Sequence, residues 1–132
     1  MKSLSTLVVL TAISAVLFIS ACSKDSDPPP LNLGSTIWSD SAIINGIKYK
    51  PFTLDFKDDG TATVKFGGFS PMPGFWNKLP TSQVVNFYFT ESATNTWKGQ
   101  GTINSTNTKI ESGILTRLTP STISGTFVAT KQ

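Results

Sequence analysis

The clearest pattern in the chain is an alternation of apolar and polar side chains with a period of two residues. It is strongest on either side of a turn-forming sequence, Asp58-Asp59-Gly60. The apolar positions are Phe52, Leu54 and Phe56 before the turn and Ala62, Val64 and Phe66 after it. Because successive side chains of a strand point to opposite faces, this period predicts a β-hairpin with one buried face.

The alternation continues toward the end of the chain. Apolar or small residues align on one face in four further segments: Val85, Phe87 and Phe89; Trp97, Gly99, Gly101 and Ile103; Ile110, Ser112 and Ile114; Ile123, Gly125, Phe127 and Ala129. Trp38 marks a first strand and Phe75-Trp76 a short one, so the pattern predicts about eight strands. No segment of useful length shows the helical period of about 3.6, which disfavours βαβ units and a parallel sheet.

We therefore predict an all-β domain over residues 34–132, an antiparallel meander closed into a small barrel. Closure removes the exposed edge strands that invite aggregation. A two-sheet β-sandwich is the alternative, and composition does not separate the two. Gly99 and Gly101 share a strand face, which indicates either close packing or a bend of the barrel. We expect Trp97 to point inward together with Phe87 and Phe127, and the two glycines to make room beside the Trp97 ring.

The first thirty residues have a different texture. Lys2 precedes an apolar run of 13 residues, Leu7–Ile19, which polar residues follow from Ser23. This run has the length of a signal-peptide core and falls short of the roughly 20 residues of a membrane-spanning helix. The pattern predicts a cleaved export signal over residues 1–21. The charged, proline-rich sequence Ser26–Pro30 predicts an extended tether, within residues 22–33, at about 3.1 Å per residue.

The sequence Ile19-Ser20-Ala21-Cys22 resembles the lipobox of bacterial lipoproteins. The resemblance implies that Cys22 carries a diacylglyceryl thioether, with palmitate-type chains. Each acyl CH₂ buried in the bilayer contributes about 0.8 kcal/mol, so two or three chains would anchor the protein firmly. Asp25 and Asp27 resemble acidic sorting tags, which implies the outer membrane of a Gram-negative bacterium, on its periplasmic or cell-surface side. A generic polar tether is the alternative.

The layout of residues 34–132 resembles that of small lipocalin-like lipoproteins of Gram-negative bacteria. The likeness rests on Gly34 with Trp38, the hairpin about Asp58-Asp59-Gly60, Thr96-Trp97-Lys98-Gly99, and the closing Ile123-Ser124-Gly125-Thr126-Phe127. It implies a barrel that binds a small ligand. In so short a chain, the barrel interior could instead be filled by side chains.

Composition excludes several classes of function. The chain has 11 Lys+Arg and 8 Asp+Glu, no histidine, and one cysteine, at position 22. A disulfide framework, a zinc cluster and a histidine-dependent catalytic site are therefore ruled out, and the weak, scattered charge argues against nucleic acid. The acidic residues of the domain are Asp40, Asp55, Asp58, Asp59, Glu91 and Glu111. They form no glycosidase-like pattern, and Asp58-Asp59-Gly60 suits a turn better than a calcium loop. We expect neither catalysis, cofactor nor metal.

Candidate binding residues cluster in Phe69–Trp76, which we expect to be a loop because two prolines and a glycine interrupt it. It would either form a lid over the barrel for a small apolar or glycan ligand, with Trp76 or Trp97 as a stacking platform, or plug one end of the core. The candidate ligand-binding residues are Phe69, Met72, Phe75, Trp76, Phe87, Trp97 and Phe127. A cavity of roughly 300 Å³ or more would favour binding.

One further motif bears on modification. Asp40-Ser41-Ala42 resembles a bacterial O-glycosylation acceptor, with Ser41 as the modified residue. Taken together, the sequence predicts a monomeric, membrane-anchored, non-catalytic binding module for a small apolar or glycan ligand. The alternative is a structural or partner-docking lipoprotein with a filled barrel and no ligand.

Overall fold

The computed structural model describes residues 31–132, which form eight strands. The strands are β1 (Thr36–Ile44), β2 (Ile47–Phe56), β3 (Thr61–Phe66), β4 (Met72–Asn77), β5 (Val84–Ser92), β6 (Asn95–Ile103), β7 (Lys109–Arg117) and β8 (Ile123–Lys131). Each pairs antiparallel with the next, and β8 pairs with β1 to close a barrel. The predicted all-β meander barrel is confirmed over the sandwich. The predicted signal, Cys22 and the tether up to residue 30 lie outside the described residues.

The central hairpin of β2 and β3 has the predicted inward face. Its register pairs Phe52 with Phe66, Leu54 with Val64 and Phe56 with Ala62, and all six side chains are buried. The carboxylate of Asp59 stabilises the turn by accepting two hydrogen bonds from Thr61, one from its hydroxyl at 2.7 Å and one from the Thr61 backbone N–H at 2.9 Å. These bonds lower the pKa of Asp59 below its ordinary value. Asp58-Asp59-Gly60 therefore acts as a turn.

Strand β7 departs from the predicted pattern. Ile110 is buried, but the predicted alignment of Ser112 and Ile114 with it is wrong. The register shifts between Ile110 and Gly113 against β8, and Ser112 has a positive φ of 50°. A bulge of this kind inserts one residue and reverses the alternation. Beyond it Leu115 is buried, whereas Ile114 is 53% exposed.

Aromatic rings fill the barrel interior, and the glycines of β6 make room for two of them. A Cβ on Gly99 would lie 2.0 Å from Cζ of Phe87, and one on Gly101 would lie 2.4 Å from Cγ2 of Ile110 and 3.1 Å from Cζ of Phe127. Trp97 is buried as expected, but its ring stacks on Phe89 at 5.9 Å. The expectation that Gly99 and Gly101 make room for the Trp97 ring is wrong, because the rings of Phe87 and Phe127 occupy the space beside these glycines.

The two ends of the barrel differ. Residues 31–35 lie at the end that holds the β2–β3 turn, which we call the closed end. Leu33 is fully buried there and Leu31 packs against the core. The hydroxyl of Ser35 donates to the carboxylate of Asp58 at 2.5 Å. Residues 31–33, assigned from the sequence to the tether, are thus part of the folded domain, because their two leucines cover the aromatic core.

Candidate functional site

The opposite end of the barrel, which carries the β1–β2, β3–β4, β5–β6 and β7–β8 turns, holds a cavity of about 490 Å³. We call this cavity the mouth. Its floor consists of four buried side chains: Phe66, Met72, Phe89 and Trp97. Its rim includes Tyr49, Phe69, Glu91 and Arg117. The mouth is larger than the roughly 300 Å³ that would favour ligand binding, and the barrel below it is packed with buried side chains.

The floor arises where inward-facing positions of four neighbouring strands reach the end of the barrel. Phe66 ends β3, Met72 begins β4, and the register places Phe89 of β5 opposite Trp97 of β6. Phe66 packs on Phe89 with ring centroids 5.9 Å apart. The last layer of the aromatic core is therefore also the surface that a ligand in the mouth would touch.

Trp97 has polar partners on the rim. Its indole Nε1 donates to Oε2 of Glu91 at 3.1 Å, and the same oxygen accepts from Nδ2 of Asn95 at 3.3 Å. Its ring is flanked by Phe89 of β5, stacked with an interplanar angle of 4°, and by the guanidinium of Arg117 of β7, 6.0 Å from the ring centroid. Because Trp97 is only 6% exposed, it offers little open ring face on which a sugar could stack.

Arg117 reaches the mouth because of the bulge in β7. The predicted alternation from Ile110 would have turned Arg117 outward. The bulge at Ser112 reverses the alternation and places Arg117 on the same face of the strand as the buried Leu115. Its Nε and Nη2 donate to the carbonyl and hydroxyl oxygens of Ser121, at 3.1 and 2.8 Å. The bulge therefore places the Arg117 guanidinium in the mouth, where hydrogen bonds to Ser121 of the β7–β8 turn hold it.

The predicted ligand-binding residues separate into four locations. Phe69, Met72 and Trp97 line the mouth, and their contact with a ligand stays a prediction. Phe87 and Phe127 do not line it. They lie deeper in the barrel, where their ring centroids are 5.5 Å apart. These two residues are core residues, since Phe87 is fully buried and Phe127 is almost fully buried.

The other two candidates, Phe75 and Trp76, are far from the mouth because the predicted loop is partly a strand, β4. Phe75 lies on the outer face, 55% exposed, and stacks on Tyr88 at 4.9 Å. Trp76 packs at the closed end, 5.4 Å from Phe56, and its Nε1 donates to the carbonyl of Lys57 at 2.9 Å. The segment Phe69–Trp76 as a whole therefore forms neither a lid nor a plug. Of its residues, Trp76 packs at the closed end.

This difference predicts unequal effects of two neighbouring substitutions on stability. Trp76→Ala is expected to lower the free energy of unfolding by about 2 kcal/mol or more, because it removes packing against the core and one of the two hydrogen bonds to the Lys57 carbonyl. Phe75→Ala should cost under about 1 kcal/mol, the range of an exposed cross-strand pair. Chemical denaturation of both variants measures the difference. Equal unfolding midpoints would contradict this placement of β4.

Sequence reasoning missed several mouth residues, among them Tyr49, Glu91 and Arg117. Tyr49 stands beyond the clear alternation of the hairpin, and Arg117 lies after an unpredicted bulge. Glu91 was treated only as a possible catalytic acid, whereas its carboxylate orients Trp97. The signal that could have found Arg117 is Gly113, since a glycine inside a strand often marks a bulge.

Other predicted features lie outside the mouth. Ser41 is half-buried in β1, opposite Val128 of β8, and its glycosylation stays a prediction. Among residues 31–132, no group of three or more His, Cys, Asp or Glu side chains is placed to hold a metal ion. The same range contains no helix long and apolar enough to cross a membrane. Comparison with protein-family models, curated proteins and solved structures finds no match.

Proposed function

We propose that the protein is a monomeric, membrane-anchored, non-catalytic binding module that takes a small apolar ligand in the mouth. The observation that carries this proposal is the cavity of about 490 Å³ with a floor of Phe66, Met72, Phe89 and Trp97. Pockets of roughly 300–1,000 Å³ lined by apolar and aromatic side chains are typical of small-molecule sites. Each square ångström of apolar surface that a ligand covers there contributes about 25 cal/mol.

The covered faces of Trp97 favour an apolar ligand over a glycan. A sugar that stacks on an aromatic ring needs an open face, and the Trp97 side chain is almost fully buried, with Phe89 and Arg117 beside its ring. The exposed aromatic side chain at the mouth is Phe69, at 61%. Phe69 is therefore positioned to cover a bound apolar molecule without being needed for the core.

The alternative function, partner docking without a ligand, also has a specific observation in its favour. The barrel interior is filled, and the outer wall presents Phe75, at 55% exposure, and Ile114, at 53%. These side chains belong to different strands, β4 and β7, on the outside of the barrel. A comparison of substitutions at the mouth and on the outer wall therefore distinguishes ligand binding in the mouth from binding to the outer surface.

The test compares two exposed phenylalanines, Phe69 at the mouth and Phe75 on the outer wall. The mature chain carries Cys22→Ser, which keeps it free of lipid and detergent, and it is titrated with the neutral fluorophore N-phenyl-1-naphthylamine. Phe69→Ser is expected to weaken saturable binding by about tenfold, since it removes roughly 1–2 kcal/mol of ring contact. The matched control, Phe75→Ser, should bind within about twofold of the parent.

Absence of saturable binding would overturn the proposal. Loss of binding in Phe75→Ser but not in Phe69→Ser would move the apolar site to the outer wall, as the docking alternative requires. Circular dichroism of each variant excludes misfolding as the cause, because an all-β spectrum must be retained.

The anchor is the second part of the proposal and places the protein at the outer membrane of a Gram-negative bacterium. Its support is the agreement of the apolar run, the sequence before Cys22 and the polar residues after it. The described chain begins at residue 31 at the closed end, opposite the mouth. An attachment through Cys22 would therefore leave the mouth open to its ligand.

Full-length protein with Cys22→Ser is expected to lose labelled palmitate and normal processing, because the substitution removes the thiol that receives the diacylglyceryl group. Metabolic labelling and membrane fractionation measure both effects. A variant that still takes up palmitate and fractionates like the parent would rule out this anchor. The control is Ser20→Ala, which keeps a small residue before the cysteine and should be labelled normally.

A further inference from the structure

The guanidinium of Arg117 is the fixed positive charge that lines the mouth. Ser121 takes two of its N–H groups, and the side chain packs beside Trp97. The loop that holds Ser121 is tied to the neighbouring β5–β6 turn, because the hydroxyl of Thr119 donates to the carbonyl of Thr94 at 2.7 Å. The remaining N–H donors of the guanidinium are thus presented by a pre-organised group.

No carboxylate neutralises this guanidinium. Within residues 31–132, the ion pair that forms joins Lys57 to Asp55, at 2.7 Å, and no acidic side chain lies within 4.0 Å of Arg117. The acidic residue that lines the mouth is Glu91, and its Oε2 already accepts from Trp97 and Asn95. Arg117 therefore lacks the carboxylate partner that its fork-shaped donor set fits best.

We propose that the mouth selects an amphipathic anion, whose apolar body packs on Phe66 and Met72 and whose anionic group binds Arg117. This inference rests on the proposed function and names the ligand class for the same site. A carboxylate, sulfonate or phosphate can each take two parallel N–H bonds from one guanidinium. The negative charge of Glu91 works against such a ligand, so neutralising Glu91 should strengthen anion binding.

The test uses two fluorophores with one ring skeleton. 8-Anilinonaphthalene-1-sulfonate carries a sulfonate, and N-phenyl-1-naphthylamine lacks it. On the mature Cys22→Ser chain, the sulfonate should bind about tenfold more tightly than the neutral dye, as one charge-assisted hydrogen-bonded pair would give. Competition between the two dyes establishes that they share a site.

Variants at Arg117 separate anion recognition from structural support. Arg117→Gln should weaken binding of the sulfonate about tenfold more than binding of the neutral dye, so that the two affinities come to within about twofold of each other. Arg117→Lys should retain part of the preference, since it keeps the charge but loses the fork geometry. Glu91→Gln, whose amide oxygen can still accept from Trp97, should tighten binding of the sulfonate more than binding of the neutral dye.

Two results would overturn the inference: a sulfonate that binds no more tightly than the neutral dye, or an Arg117→Gln variant that loses both dyes equally. The second result would show that Arg117 only supports Trp97. If neither dye binds the parent protein, the proposed function itself fails. If the neutral dye binds and the sulfonate has no advantage, the site stands and only its anion selectivity is refuted.

Discussion

Replacing Trp97 with alanine is expected to lower the free energy of unfolding by about 3 to 5 kcal/mol. The side chain is 6% exposed, stacks on Phe89 and donates through Nε1 to Glu91. Its removal leaves a cavity in the last aromatic layer and a carboxylate without one of its donors. Domains of this size are stable by only about 5–15 kcal/mol, so the loss would be a large part of the total.

Chemical denaturation followed by circular dichroism measures this effect. Glu91→Gln serves as the matched control, since it keeps an acceptor for the indole and should change stability by under about 1 kcal/mol. A Trp97→Ala protein that unfolds at the parent midpoint would show that the inward face of β6 is assigned incorrectly. The same variant should also lose dye binding, because Trp97 is one of the four floor residues of the mouth.

Replacing Gly74 with alanine is expected to destabilise the barrel by at least about 2 kcal/mol. Gly74 sits in β4 opposite Phe89 of β5, and a Cβ there would lie 2.0 Å from the carbonyl oxygen of Tyr88. The obstacle is backbone that takes part in the barrel, so it cannot move aside as a flexible side chain can. The β4–β5 pairing would have to separate locally, which disturbs the floor next to Met72.

Gly68 provides the control for this prediction. It lies in the β3–β4 turn, and a Cβ added there would meet nothing within 4 Å. Gly68→Ala should therefore leave stability within about 0.5 kcal/mol of the parent, or raise it slightly by restricting the unfolded chain. If both alanine variants unfold at the same denaturant concentration, the close approach of β4 to β5 is not present in solution.

Part of the candidate site could be predicted from the sequence. Phe69, Met72 and Trp97 were selected as large apolar residues near proline and glycine, and they line the mouth. Phe87 and Phe127 were selected on the same grounds and are core residues. Local composition does not separate the two groups, because whether an inward ring meets a cavity or another ring depends on the strands opposite it.

The sequence by itself determined the all-β class, the hairpin of β2 and β3, and the inward faces of β5, β6 and β8. The period of two is a property of each strand's own backbone, so it can be read from neighbouring residues alone. The same local signal failed at β7, where the bulge after Ile110 turned Ile114 outward and Arg117 toward the mouth.

Only the tertiary structure decided that the sheet closes, which end is filled and which end is open. Closure depends on pairing β1 with β8, which are separated by most of the domain, and the closed end depends on Leu33 reaching the core beside the β2–β3 turn. Such contacts join residues far apart in the chain, and alternation within one strand carries no information about its partners. The mouth is a consequence of that closure, because its floor and rim come from strands that meet only in the completed barrel.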